Sequence, residues 1–276
     1  MTNAIKRLAF NLMCRRFRER RLLDKPSAWY KTSKPLLWAY GGGTLRRYGN
    51  AAEDIDDSIN KGFRVIELDF ARTNDGVPVA SHFFKPEDSL VEWDHIPSSK
   101  EFLEKKVNGR FTPLRLVDVI TRYIQEDVFF SLDPFYYYCN VPNGESEFLD
   151  YVVRNTNVHE RRRLILQIYS FKMLCHMKDN NCDIGALHYV IGEGCFWKVK
   201  HLVKVLTSVG VHSVSFQDTV LTPEIFNAIA ILRAANIHVS VAGVNTMARY
   251  KEVIAAGADC VNTMVLVPKE VSQCVC

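Results

Sequence analysis

The feature that most limits what this chain can fold into is a rhythm. Short apolar runs at 36–40, 63–70, 128–133, 163–168, 184–190, 211–216, 237–241 and 259–263 read as strands. Helical stretches are predicted between them over 50–60, 113–125, 145–156, 171–180, 196–208, 222–235 and 245–256. Strands that alternate with helices build parallel βαβ units. Eight such units in about 230 residues fit a closed (β/α)8 barrel, a TIM barrel, better than an open doubly wound sheet. The rhythm is interrupted by a polar, irregular excursion over 88–110. No linker or low-complexity segment divides the chain, so the expectation is an α/β barrel over 35–276 behind a basic helical extension over 1–34.

In such a barrel functional side chains gather at the C-terminal ends of the strands. Tyr40-Gly-Gly-Gly43 ends the first strand, Glu67 and Asp69 the second, Asp133 the third and Gln167 the fourth. Gln217 and Asp218, Asn245 and Asn262 follow or end the later ones. Glu67 and Asp69 interrupt an otherwise apolar run, Phe63-Arg-Val-Ile-Glu-Leu-Asp-Phe70, and their spacing of two sends both side chains to one face of a strand. Two like charges buried side by side are costly unless a cation or a donor stands between them. The bland alternative places them at a solvent-facing strand end, paired with Lys or Arg. Asp75-Gly76 and the returning run to His82 weigh against it, because a turn there brings an imidazole back towards the acids.

Net charge is +4, but it is unevenly spread. Residues 1–35 carry ten Lys or Arg against Glu19 and Asp24, leaving 25 basic and 29 acidic residues for the rest. The stretch 3–23 reads as a helix with Ile5, Leu8, Leu12 and Met13 on one side and arginines elsewhere. It suits either an anionic membrane surface or a place across the bottom of the barrel with a solvated Arg face. No run reaches the roughly 18 apolar residues of a membrane span, and no secretory leader is expected. The eight cysteines show no paired metal-site spacing, so a reducing cytoplasm with free thiols is the expected setting. The ending Cys274-Val275-Cys276 is not a C-a-a-X box. Aromatic and basic residues are not interleaved as in nucleic-acid platforms, so no nucleic-acid partner is expected.

Several pieces together resemble the glycerophosphodiester phosphodiesterases, barrels of the phospholipase C-like superfamily. They are Gly42-Gly43 with Tyr48-Gly-Asn50, Gly62 to Phe70, and Thr73-Asn-Asp-Gly-Val-Pro-Val-Ala-Ser-His82. Phe111-Thr-Pro-Leu114, Leu166-Gln-Ile-Tyr169 and Gly257-Ala-Asp-Cys-Val-Asn-Thr263 extend the likeness over 37–268. The resemblance implies metal-assisted cleavage of a small phosphodiester. Glu67, Asp69 and Asp133 would hold one divalent cation, Ca²⁺ or Mg²⁺, which hard oxygen ligands suit. His82 matches one of two family histidines that act as general base and general acid around a cyclic phosphate. Gly42, Gly43, Asn50, Gln167 and Tyr169 are the expected substrate contacts. Gly41-Gly-Gly43 also reads as a plain strand-to-helix turn, and Gln167 and Tyr169 as structural hydrogen-bonding groups.

The sequence departs from the family pattern at telling places. Tyr40 stands where the first catalytic histidine belongs, and a phenol with a reference pKa near 10 is a poor base at neutral pH. Phe83 replaces an acid, Phe135 a phosphate-binding lysine, and Met264 another acid. Three readings therefore stand: a metal-dependent phosphodiesterase with His82 and Tyr40 as its catalytic pair, a degenerate barrel that binds a phosphorylated ligand or partner without turnover, or a membrane-surface scaffold whose basic arm does the main job. Asp133-Pro-Phe-Tyr-Tyr-Tyr-Cys139 is an unusually aromatic loop that lines a pocket or lids the barrel.

Overall fold

A computed structural model of the 276-residue chain describes residues 29, 37–43, 49–82, 93–106, 109–124, 126–138, 144–170, 173–174, 176, 184–191, 199–218 and 222–275. Apart from Trp29, the expected extension over 1–34 lies outside them, as do Tyr48, Phe83 and most of the helix expected over 171–180.

Eight parallel strands close on themselves: β1 Leu37–Ala39, β2 Val65–Arg72, β4 Phe129–Asp133, β5 Leu164–Ile168, β6 Ala186–Val190, β7 Ser213–Gln217, β8 His238–Ala242 and β9 Cys260–Thr263. β1 completes the circle by pairing with both β2 and β9. The (β/α)8 expectation holds. A ninth strand, β3 Pro78–Ala80, folds back antiparallel on the upper half of β2, with Phe70 opposite Ala80. The Asp75-Gly76 turn makes this hairpin, and Gly76 takes a φ of 79° that a side chain would resist.

The period of two divides every strand between two environments. Ile66, Leu68 and Phe70 point outward, into the main core shared with Phe130, Leu132, Leu164, Leu166 and the surrounding helices. Val65, Glu67 and Asp69 point into the barrel. Its N-terminal end is filled by Val65, Phe129, Ile165, Ala186, Cys260 and Trp38, with Trp29 packed edge-on to Trp38 at 5.0 Å. Above this plug the inward residues turn polar.

Differences from the expected elements have local causes. β2 begins at Val65 rather than Phe63 because Gly62 is left-handed, φ 92°, and the Phe63 amide still closes the preceding helix on Ser58. The excursion over 88–110 contains a helix, Ser99–Glu104, started by a reciprocal cap: the Glu101 amide donates to Ser98 Oγ, and the Ser98 amide to Glu101 Oε2. Beyond the last strand, Pro268–Val275 forms a further helix that the rhythm did not announce. The aromatic loop after β4 winds into one turn of helix, Phe135–Tyr138.

Candidate active site

Glu67, Asp69 and Asp133 are all buried, and they stand at the C-terminal half of the barrel interior. Asp69 and Asp133 are direct register partners on β2 and β4. Each acid meets neutral donors. Glu67 accepts from two carboxamides, Gln167 Nε2 on one oxygen and Asn262 Nδ2 at 3.0 Å on the other. Asn50 grips Asp69 at both ends: its Nδ2 donates to the Asp69 carboxylate at 3.0 Å, and its Oδ1 accepts the Asp69 amide at 2.8 Å. Asp133 accepts the Tyr169 hydroxyl at 2.6 Å and the Phe135 amide at 2.9 Å.

Burial, then mutual repulsion, raises the affinity of these acids for protons. Glu67 is pushed up to about 8 by burial and by Asp69 and Asp133, against the two amide hydrogen bonds. Asp133 is pushed up to about 7 by burial and by Asp69. Asp69 is raised by burial, with the Asn50 hydrogen bond and the nearby His82 opposing. His82 acts on Asp69 and opposes the rise of its pKa. The sequence-level choice between a buried pair and a salt-bridged surface pair is thereby settled for burial.

Tyr40 sits at the end of β1 facing the same acids. Burial and then Glu67, Asp69 and Asp133 drive its hydroxyl far above the ordinary phenol range, so it keeps its proton. His82 follows β3 and reaches the site from the hairpin, its ring lying 3.9 Å, centre to centre, from that of Tyr136. Phe135, Tyr136, Tyr138 and Tyr169 form a continuous aromatic wall beside Asp133, with Phe135 5.2 Å from Tyr169 and 5.3 Å from Tyr136.

The residues expected on substrate also make supporting contacts within the chain. Gln167 and Tyr169 hold acids, and Tyr169 also reaches Gln167 Oε1 at 3.2 Å. Gly42 and Gly43 pack against the helix Ala52–Asn60. A side chain on Gly42 would meet the Asn50 amide nitrogen at 2.8 Å, and one on Gly43 would meet the Asp54 carbonyl at 2.7 Å. That close packing lets the Asn50 amide donate to Gly41 at 2.7 Å and aims Asn50 at Asp69. Of the other polar strand ends, Asp218 pairs with Arg249 at 2.7 Å, and Asn245 receives the Thr263 hydroxyl and the Met264 amide. Asn262 differs: it belongs to the acid site, a role its position alone did not assign.

The donor set suits a hard divalent cation, since three buried carboxylates repel one another and present only oxygen. Among the described residues, however, no three His, Cys, Asp or Glu side chains stand close enough around one point to hold an ion.

The barrel is similar in fold to solved glycerophosphodiester phosphodiesterases. A glycerophosphodiester phosphodiesterase from Thermotoga maritima matches with a TM-score of 0.66 at 19% identity, over 87% of this chain and 96% of that one. A glycerophosphoryl diester phosphodiesterase from Parabacteroides distasonis matches at 0.65 and 15% identity, over 90% of each chain. An Oleispira antarctica phosphodiesterase in complex with the product sn-glycerol-3-phosphate matches at 0.67 and 15% identity, over 87% and 96%. At these identities the likeness is one of fold. No protein-family profile and no curated protein sequence matches the chain. Among the described residues no helix is long and apolar enough to cross a membrane.

Proposed function

We propose that this chain is a phosphodiesterase for glycerophosphodiester-type substrates, working at the C-terminal mouth of the barrel. The observation that carries the reading is the meeting of Glu67, Asp69, Asp133 and His82 in one buried site, on a fold shared with glycerophosphodiester phosphodiesterases. Glu67, Asp69 and Asp133 would hold one Ca²⁺ or Mg²⁺, which when bound would neutralise phosphate charge and polarise a hydroxyl.

The chain's own groups then divide the work. Cleavage through a cyclic phosphate takes a proton from the attacking hydroxyl as its oxygen bonds phosphorus, and gives one to the alcohol whose P–O bond breaks. Tyr40 holds its proton too tightly to accept the first and serves as a hydrogen-bond donor to a phosphate oxygen. His82 is left to take the proton and return it to the leaving alcohol, a single-histidine shuttle in place of the family's pair. The aromatic wall excludes water from one side.

The test is a panel of glycerophosphodiesters assayed for alcohol release with Ca²⁺, with Mg²⁺ and with EDTA, alongside Tyr40→His. Cation-dependent turnover that Tyr40→His lowers supports the reading. The second reading, a barrel that binds a phosphorylated ligand without turnover, is favoured by Tyr40 and by Phe135 in the lysine's place; turnover appearing only in Tyr40→His would establish it. The basic stretch 1–23 as a lipid contact is a separate part of the proposal, and failure of the intact chain to sediment with anionic liposomes at low salt would remove it.

A further inference from the structure

The interior of a TIM barrel is ordinarily filled with layers of branched apolar side chains. Here the layer above the apolar plug consists of Glu67, Ser131, Gln167, Ser240 and Asn262, each at most 4% exposed. Burying that many polar groups is costly unless they satisfy one another, and they do. Asn262 Nδ2 donates to Glu67 Oε2 at 3.0 Å, and Gln167 Nε2 donates to Glu67 Oε1 and, at 3.3 Å, to Ser131 Oγ. The Ser240 hydroxyl donates to Asn262 Oδ1.

Both carboxamides turn their NH₂ groups towards Glu67, whose two oxygens accept them. The oxygen of Asn262 then needs a donor, which Ser240 provides. The chain of bonds crosses the barrel from β8 through β9 and β2 to β5, joining strands far apart in sequence around one carboxylate.

We infer that Asn262, oriented by Ser240, is a positioning residue that clamps Glu67 from the side opposite Gln167 and so sets the carboxylate for the function of the acid site. The inference rests on the proposed reading of that site for its consequence on cation binding, and on the geometry alone for the clamp. A neutral clamp of this type also explains how Glu67 is accommodated in the barrel interior, where each of its oxygens is met by an amide.

The experiment uses the full chain and five variants: Asn262→Leu, Glu67→Gln, the two combined, Ser240→Ala, and Phe129→Leu. Phe129 faces the same interior on β4, in the apolar plug, and carries no polar atom that could bond the clamp. Denaturant unfolding without added cation gives a double-mutant cycle for Asn262 and Glu67. Calorimetry with CaCl₂ and with MgCl₂ gives the affinity of each variant. We expect a non-additive cycle, and a loss of about 10–100-fold in cation affinity for Asn262→Leu. Phe129→Leu should lower stability and leave affinity unchanged, so that a structural defect and a positioning defect separate. Ser240→Ala should weaken affinity less than Asn262→Leu.

An additive cycle overturns the inference. So does a non-additive cycle with unchanged cation affinity in Asn262→Leu. If the unmodified chain binds neither cation at millimolar concentration, the metal reading of the site fails by itself, and the clamp stands or falls on the cycle.

Discussion

The two ends of this barrel are built from the same strands and obey opposite rules. At the N-terminal end, Trp38, Val65, Phe129, Ile165, Ala186 and Cys260 close the interior, with Trp29 packed beneath. At the C-terminal end the next inward positions of those strands carry Glu67, Asp69, Ser131, Asp133, Gln167 and Asn262. On β2 the change falls between Val65 and Glu67, one step of the period-two repeat. The titratable groups respond in kind. In the plug burial dominates: it pushes Cys260 up to about 12, against a hydrogen bond to Ser240, and by itself takes His188 down to about 3. At the mouth burial still leads, but like charges add to it. The comparison teaches that the plug spends its residues on stability, whereas the mouth accumulates repulsion that packing elsewhere offsets.

Two substitutions should pull these ends apart. Under the proposed function, His82→Ala removes the shuttle, and the rate should fall by about 10²–10⁴ with the unfolding midpoint nearly unchanged. Trp38→Ala empties a fully buried site and should cost about 3–5 kcal/mol of stability, measured by denaturant unfolding, while activity per folded molecule persists. If Trp38→Ala abolished activity in molecules that remain folded, the separation of the ends would be lost.

The architecture was legible because barrel-building depends on a pattern repeated eight times, and one blurred unit does not hide it. The excursion helix Ser99–Glu104 was not legible, since six residues carry too little periodicity. At the site, the spacing of Glu67 and Asp69 and the Asp75-Gly76 turn announced that two acids and His82 would meet. What they would meet besides was hidden. Gln167 is 100 residues from Glu67 along the chain and Asn262 is 195 away, and only the closed barrel makes them neighbours. A carboxamide looks the same in sequence whether it touches substrate or supports an acid. Asn50, expected as a substrate contact, likewise holds Asp69 from two directions. The inward parity of Asn262 with Cys260 was the available signal: a polar side chain at an inward barrel position calls for a buried partner.

A smaller effect sharpens the account of the mouth. Asp69 repels both Glu67 and Asp133. In EDTA at neutral pH, Asp69→Asn should therefore stabilise the fold, by about 1 kcal/mol, because it removes that repulsion and leaves an amide able to pair with Asn50. Loss of stability instead would mean that Asp69 is held mainly by its hydrogen bonds, and that the mouth is not a strained region.

The plug makes the finest prediction, and its sign follows from burial. His188 is fully enclosed against Trp38, 4.7 Å between ring centres, its Nδ1 paired with Ser213 Oγ at 3.0 Å. Its Nε2 has no hydrogen-bond partner among the described residues. Nothing there welcomes a second proton, so the folded state holds His188 neutral down to about 3. The unfolded chain protonates it near 6.5. Between those values the unfolded state binds the extra proton, so His188 costs stability as the pH falls from 6.5 towards 3. Unfolding titrated between about pH 4 and 6 should show the unmodified chain taking up close to one proton more than His188→Gln does. Equal uptake would place a charged histidine inside the plug, and the two ends of the barrel would then differ in degree only.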